Sequence, residues 1–150
     1  MGHTFTRLLY HVVFSTKQRR RAIQPHLRSE LLAYMHGVVR NEQARILESA
    51  ATADHVHLLI SAGPTHVLAD LVRTLKASSS RWGHGKWPDA RAFAWQNRYG
   101  AFSVSESSVP RMVAYLKGQE EHHRRVPFGE ELRALLEKHR IPYDATHFLD

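Results

Sequence analysis

Apolar positions in this chain fall into short β-branched runs separated by longer stretches of helical spacing. Residues 8–14 (Leu-Leu-Tyr-His-Val-Val-Phe) are β-branched and aromatic, as a buried strand requires. A polar, basic turn at residues 15–21 ends that run. Leu27, Leu31, Leu32, Met35, Val38 and Val39 then recur on one helix face, with Pro25 where a first turn tolerates proline. Residues 44–47 and 54–61 read as a second and a third strand. Gly63-Pro64-Thr65 gives a turn and an N-cap, and Val67, Leu68, Leu71, Val72 and Leu75 continue a helix that stops by Gly83. Residues 83–99, rich in Trp, Gly and Pro, show no usable period.

Residues 101–105 fit a fourth strand. Ser107 or Ser108 caps a helix over about 108–123, through Val109, Met112, Val113 and Leu116, and a last helix covers about 128–139. The order β-α-β-β-α-β with trailing helices is the ferredoxin-like split βαβ plan. It predicts an α+β fold, an antiparallel sheet with helices packed on it. Neither a repeat nor a linker divides the sequence, so one domain over residues 1–150 is expected.

Charge adds a partner class. Lys and Arg outnumber Asp and Glu by 21 to 14, for a net charge of +7 and a pI near 10.1. Such a surface favours a polyanion, nucleic acid first and an anionic membrane surface second. The absence of cysteine excludes disulfides, thiolate metal sites and thiol nucleophiles. Neither a signal-like start nor a membrane-length apolar run is visible, so the expectation is a soluble cytoplasmic protein, nucleoid-associated when acting.

The candidate chemistry begins with His55-Val56-His57. A strand has a side-chain period of two, so both imidazoles project from one face while Val56 points to the other. Paired imidazoles on a rigid strand suit one divalent ion. Farther along, Tyr115 and Gln119 are four apart on a helix and share a face, with His122 near it one turn later.

Together these motifs resemble those of the HUH-superfamily single-tyrosine transposases, the small insertion-sequence-two-hundred-like class with its REP-associated relatives. That family carries His-hydrophobic-His on a strand and Tyr-x-x-x-Gln on a later helix. The likeness extends to residues 9–17, to Trp95-Gln96 with residues 99–104, and to residues 119–123. The resemblance implies a transposase that cleaves and rejoins single-stranded DNA at hairpin-marked ends. Tyr115 would be the nucleophile, leaving a 5′-phosphotyrosine and a free 3′-hydroxyl. His55, His57 and Gln119 would hold a divalent metal, Mg²⁺ with Mn²⁺ able to substitute; imidazoles also suit zinc. His122 and His123 match the family pattern as phosphate contacts or supports behind the metal. The preferred reading places them in a helix's last turn, where partly protonated histidine suits the dipole. Gly118 departs from the family pattern and softens the tyrosine helix, since glycine there costs roughly 1 kcal/mol relative to alanine.

Lys17, Arg19, Arg20 and Arg21 form the densest positive run and are the expected DNA contacts. Lys76, Arg81 and Lys86, interleaved with Trp82 and Trp87, form a second basic and aromatic group. The resemblance further implies a homodimer in which one subunit's tyrosine helix completes the partner's histidine site. Three alternatives remain: a domesticated hairpin-processing nuclease of the same chemistry, a hydrolytic phosphodiesterase, and a non-catalytic ferredoxin-like nucleic-acid-binding module.

Overall fold

A computed structural model describes residues 4–86 and 93–149. Its strands are β1 (Leu8–Ser15), β2 (Arg45–Ala51), β3 (His55–Ala62) and β4 (Gly100–Val104). Its helices are α1 (Arg28–Asn41), α2 (Leu68–Lys86), α3 (Val109–Lys117), α4 (Gln119–His123) and α5 (Phe128–Lys138). The strands form one antiparallel sheet in the order β2-β3-β1-β4, with β1 paired to both β3 and β4. That order, with α1 and α2 as the two crossovers, is the ferredoxin-like arrangement expected from the element sequence.

The strand period sends alternate residues of β1 and β3 into two separate layers. Val12, Phe14, Val56, Leu58 and Ile60 form the main core with Leu31, Met35 and Val39 of α1 and Leu71, Val72 and Leu75 of α2. On the opposite face, Leu9 and Leu59 meet Leu116 of α3, while Val13 and Phe102 meet Phe128 and Leu132 of α5. His11, His55 and His57 belong to this second face, and all three are buried.

Several boundaries differ from the sequence expectation. β2 continues to Ala51 because a register shift between Ile46 and Glu48 lets the weakly β-forming residues 48–51 keep pairing with β3. α2 runs past Gly83 to Lys86, its later turns held by Trp82 stacked on Tyr34 at 5.4 Å. The expected helix over 108–123 is two segments. α3 ends at Lys117 and α4 begins at Gln119, with Gly118 at φ −91°, ψ 9° between them.

Residues 93–96 are a structural joint. Trp95 Nε1 donates to Ser79 Oγ at 2.9 Å, and the Ser15 amide donates to Gln96 Oε1 at 2.6 Å. Lys76 donates to the carbonyls of Gln96 and Arg98, both at 2.8 Å, so this member of the second basic group ties a loop to α2. Trp87 lies outside the described residues.

Candidate active site

β3 sets the geometry. Its edge-to-edge pairing with β1 puts His57 opposite Val13 and leaves His11 diagonal to it on the same face. His11 Nε2 and His57 Nδ1 are 2.7 Å apart, so one ring donates to the other. The Nδ1–H of His55 donates to Asp54 Oδ1 at 2.7 Å, and Thr52 Oγ1 lies at the same distance. Asp54 can only accept, which fixes the His55 proton on Nδ1 and leaves the Nε2 lone pair facing the helices.

Opposite the strand, α3, α4 and α5 deliver their side chains to one carboxylate, that of Glu131. Its Oε1 lies 3.0 Å from His57 Nε2, 3.0 Å from His123 Nε2 and 3.6 Å from His55 Nε2. Its Oε2 accepts from the Tyr115 hydroxyl and from Gln119 Nε2 at 3.2 Å, with His122 Nε2 also at 3.2 Å. Glu131 is only 4% exposed, and His55 and His57 are 0% exposed.

Burial dominates the electrostatics of the cluster. It pushes the His55 imidazolium down to about 4 against the pull of Asp54, and pushes His11 down to about 3 with help from His57. His57 is lowered as well, first by burial. Burial alone would raise the Glu131 carboxyl, but hydrogen bonds from His123 and His57 outweigh it and hold the group well below the usual carboxylate range. The Tyr115 phenol is pushed well above its usual value by burial and by the Glu131 charge beside it. Neutral His55 and His57 therefore face one buried anion, and the phenol keeps its proton.

The site is suited to a cation. Among the described residues three buried side-chain atoms lack a hydrogen-bond partner, His55 Nε2, Gln119 Oε1 and His11 Nδ1, and the first two lie beside Glu131. His55 Nε2 and Gln119 Oε1 present lone pairs, and leaving such atoms buried and unpaired costs about 1–3 kcal/mol each. His55, His57, His123 and Glu131 can each offer one ligand atom, all within 4.8 Å of one another. Gln119, the third donor expected from the sequence, reaches the same cluster through its Nε2 on Glu131 Oε2.

Two hollows flank the cluster. One, of about 880 Å³, is lined by Arg19, Arg21, Arg28, Arg124, Asp54 and His123 among others. The other, about 570 Å³ and largely apolar, opens on Tyr115, Glu131 and His122 between α3 and α5. A histidine pair placed to offer ligand atoms, a tyrosine beside it and a basic cleft that reaches His123 suit phosphodiester chemistry on nucleic acid.

Residues 4–119 match the sequence profile of the family described as "Transposase IS200 like". The chain belongs to the IS200-like transposases. It is 27% identical over 154 aligned positions to the transposase for insertion sequence element IS200 of Salmonella typhimurium, covering 99% of this chain and 93% of that one. It is 25% identical over 117 positions to the ISDra2 transposase TnpA of Deinococcus radiodurans, covering 75% of this chain and 84% of that one. Among solved structures, a transposase from Deinococcus radiodurans R1 superposes with a TM-score of 0.62 at 26% identity, covering 79% of this chain and 95% of the other. A REP-associated tyrosine transposase bound to a REP hairpin shares the fold at a TM-score of 0.61 and 14% identity, covering 99% and 93%.

Membership of a transposase family makes this a DNA-cleaving enzyme by class, and the sequence motifs converge on one place in it. Tyr115 is half-buried, its ring centroid 5.7 Å from that of His57. His122 and His123 do occupy the last turn of α4, yet both turn inward to Glu131. The arginine run divides. Arg19 and Arg21 line the basic cleft, whereas the Arg20 guanidinium donates to Gln18 and Lys17 is exposed. Gln18 and Arg19 hold left-handed φ values of 57° and 54°, a strained turn that brings Arg19 against the first turn of α5 near Gly129.

Sequence reasoning missed Glu131, His11, Asp54 and Thr52. The signal for Glu131 was present. Phe128, Glu131, Leu132 and Leu135 share one helical stripe, and an acidic residue on an apolar stripe needs a partner. Glu131 also lies beyond the stretch matched by the family profile.

Proposed function

We propose that this transposase cuts and rejoins single-stranded DNA by tyrosine transesterification at hairpin-marked ends, with metal assistance. The convergence of Tyr115, His55, His57 and Gln119 on one buried cluster carries the reading. Tyr115 Oη forms the new bond to phosphorus as the bond from phosphorus to the 3′ oxygen breaks. The electron pair leaves with that oxygen, giving a 5′-phosphotyrosine and a 3′-hydroxyl. The phenolic proton passes by way of Glu131 Oε2, which the hydroxyl already meets, and on through solvent to the departing 3′ oxygen, so the carboxylate ends ionised as it began. Bond energy is retained in the ester, so the chain needs no nucleotide cofactor.

His55, His57 and Gln119 would hold the divalent ion, Mg²⁺ or Mn²⁺. When bound, it supplies charge to polarise the phosphate. Asp54 and Thr52 orient His55, and His11 takes the Nδ1 side of His57, so each Nε2 is directed inward. Arg19 and Arg21, with Lys17 and Arg20 on the same turn, would neutralise strand phosphates leading to the cluster. A hairpin substrate is supported by the REP hairpin held by the similarly folded transposase.

Within one chain the tyrosine already lies beside His57, so a complete set of groups is present without a second subunit. A homodimer with exchanged tyrosine helices is the other assembly. Mixing Tyr115→Phe and His57→Ala subunits separates the two: the mixture regains cleavage only if the tyrosine acts in trans.

The deciding experiment incubates labelled single-stranded hairpins from the flanks of the gene with the protein and Mg²⁺ or Mn²⁺ on a denaturing gel. A slow covalent band lost in Tyr115→Phe, in His57→Ala and with EDTA is expected. Cleavage that survives Tyr115→Phe without such a band would instead identify a hydrolytic enzyme.

A further inference from the structure

We propose that Glu131 is itself a ligand of the divalent ion through Oε1, while its Oε2 registers the nucleophilic tyrosine against that ion. This rests on the metal-assisted reading above and extends it to a residue of the C-terminal helix.

The position is unusual for a carboxylate. Phe128 and Leu132 flank Glu131 on the inward stripe of α5 and pack in the second apolar layer with Val13 and Phe102. The Phe128 ring also lies 4.5 Å from that of His55. A buried anion on such a stripe is tolerated only where both oxygens are satisfied. Here the two oxygens face different chemistry. Oε1 meets the imidazole nitrogens of His57, His123 and His55, whereas Oε2 meets Tyr115, Gln119 and His122.

The unpartnered lone pairs of His55 Nε2 and Gln119 Oε1 belong to the same cluster. Lone pairs beside an anionic oxygen select a cation. Two imidazoles and an amide carry no charge and would suit softer ions, but a carboxylate oxygen adds both the charge and the hard donor that Mg²⁺ and Mn²⁺ favour. Because Glu131 sits on α5, ion binding must also tighten that helix on the sheet.

Mn²⁺ titrated into the full chain by calorimetry, with amide hydrogen exchange in parallel, tests this in wild type, Glu131→Gln and His57→Ala. Glu131→Gln should weaken Mn²⁺ by about tenfold or more. In wild type, Mn²⁺ should slow exchange in α5 as well as in β3, and Glu131→Gln should lose the α5 component. Wild-type or tighter Mn²⁺ binding by Glu131→Gln, with binding lost in His57→Ala, would overturn the ligand assignment and leave the metal reading standing. Failure of wild type to bind Mn²⁺ would overturn both. Should Glu131→Gln fail to fold, wild type alone decides, since protection of β3 without α5 overturns the proposal.

Discussion

β1 and β3 each present two faces, and the two faces have been put to opposite uses. Toward α1 and α2 they offer Val12, Phe14, Val56, Leu58 and Ile60, a layer held by apolar burial. Toward α3, α4 and α5 they offer His11, His55 and His57, equally buried and held by directed contacts to one another, Asp54, Thr52 and Glu131, with His55 Nε2 left unpartnered. The first face can lose a methylene and still work, at a cost in stability. The second is built on directed contacts, so a single change there removes chemistry while much of the packing persists.

Neighbours 57 and 58 offer the sharpest break of that comparison. His57→Ala should lower cleavage on the order of 10³-fold or more, and Tyr115→Phe by at least as much. Leu58→Ala should destabilise the chain by about 2–5 kcal/mol while the covalent adduct still forms below its melting point. Denaturant melts and adduct gels on the three variants check this. Equal loss of stability from His57→Ala and Leu58→Ala would show that the two faces are not energetically distinct.

Acid should unfold the molecule through the histidine face first. Burial keeps His11 and His55 neutral, lowered to about 3 and about 4, whereas an unfolded imidazole takes a proton near 6.5. The unfolded chain therefore binds more protons below that value, and stability falls with pH until the folded rings titrate too. Between pH 7 and 5 this is on the order of 1–2 kcal/mol per ring. The Glu131 contribution persists across that window, because its folded carboxyl is held down and is lost only as pH falls below the ordinary value of 4.5. Melts in EDTA should show the slope in wild type and Leu58→Ala, and a smaller one in His11→Gln. An unchanged slope in His11→Gln would remove His11 from the account.

Legibility of the sequence follows the same division. Periodicity located β1 and β3, and the histidine pair could be assigned to one face because Val56 between them had to enter the main core. The layout of six elements followed from their order. The sequence marks only the first half of β2, because Glu48, Ser49, Ala50 and Ala51 carry no strand signal of their own; pairing with β3 supplies it. Glu131 is hidden in the sequence because an acidic residue on a helix ordinarily faces solvent. His11 looked like one more residue of an apolar strand. His11 is defined by a partner 46 positions away, and Glu131 by residues of two other helices and of β3, so a pattern read within one element holds no record of either.

The smallest effect tests the joint between Tyr115 and Gln119. Gly118 sits at φ −91°, which any residue adopts, and a Cβ there would meet the Ala114 and Tyr115 carbonyl oxygens at 3.6 and 3.8 Å, ordinary contact distances. Alanine has less backbone freedom to lose on folding, so Gly118→Ala should stabilise the chain by about 0.4–1 kcal/mol. Mn²⁺ affinity should stay as in wild type, because Tyr115 and Gln119 reach Glu131 from either side of the break without requiring glycine there. A higher denaturant midpoint together with lost adduct formation would mean that the break must flex during the reaction. A lower midpoint would mean that Gly118 relieves strain that its φ and its neighbours do not reveal.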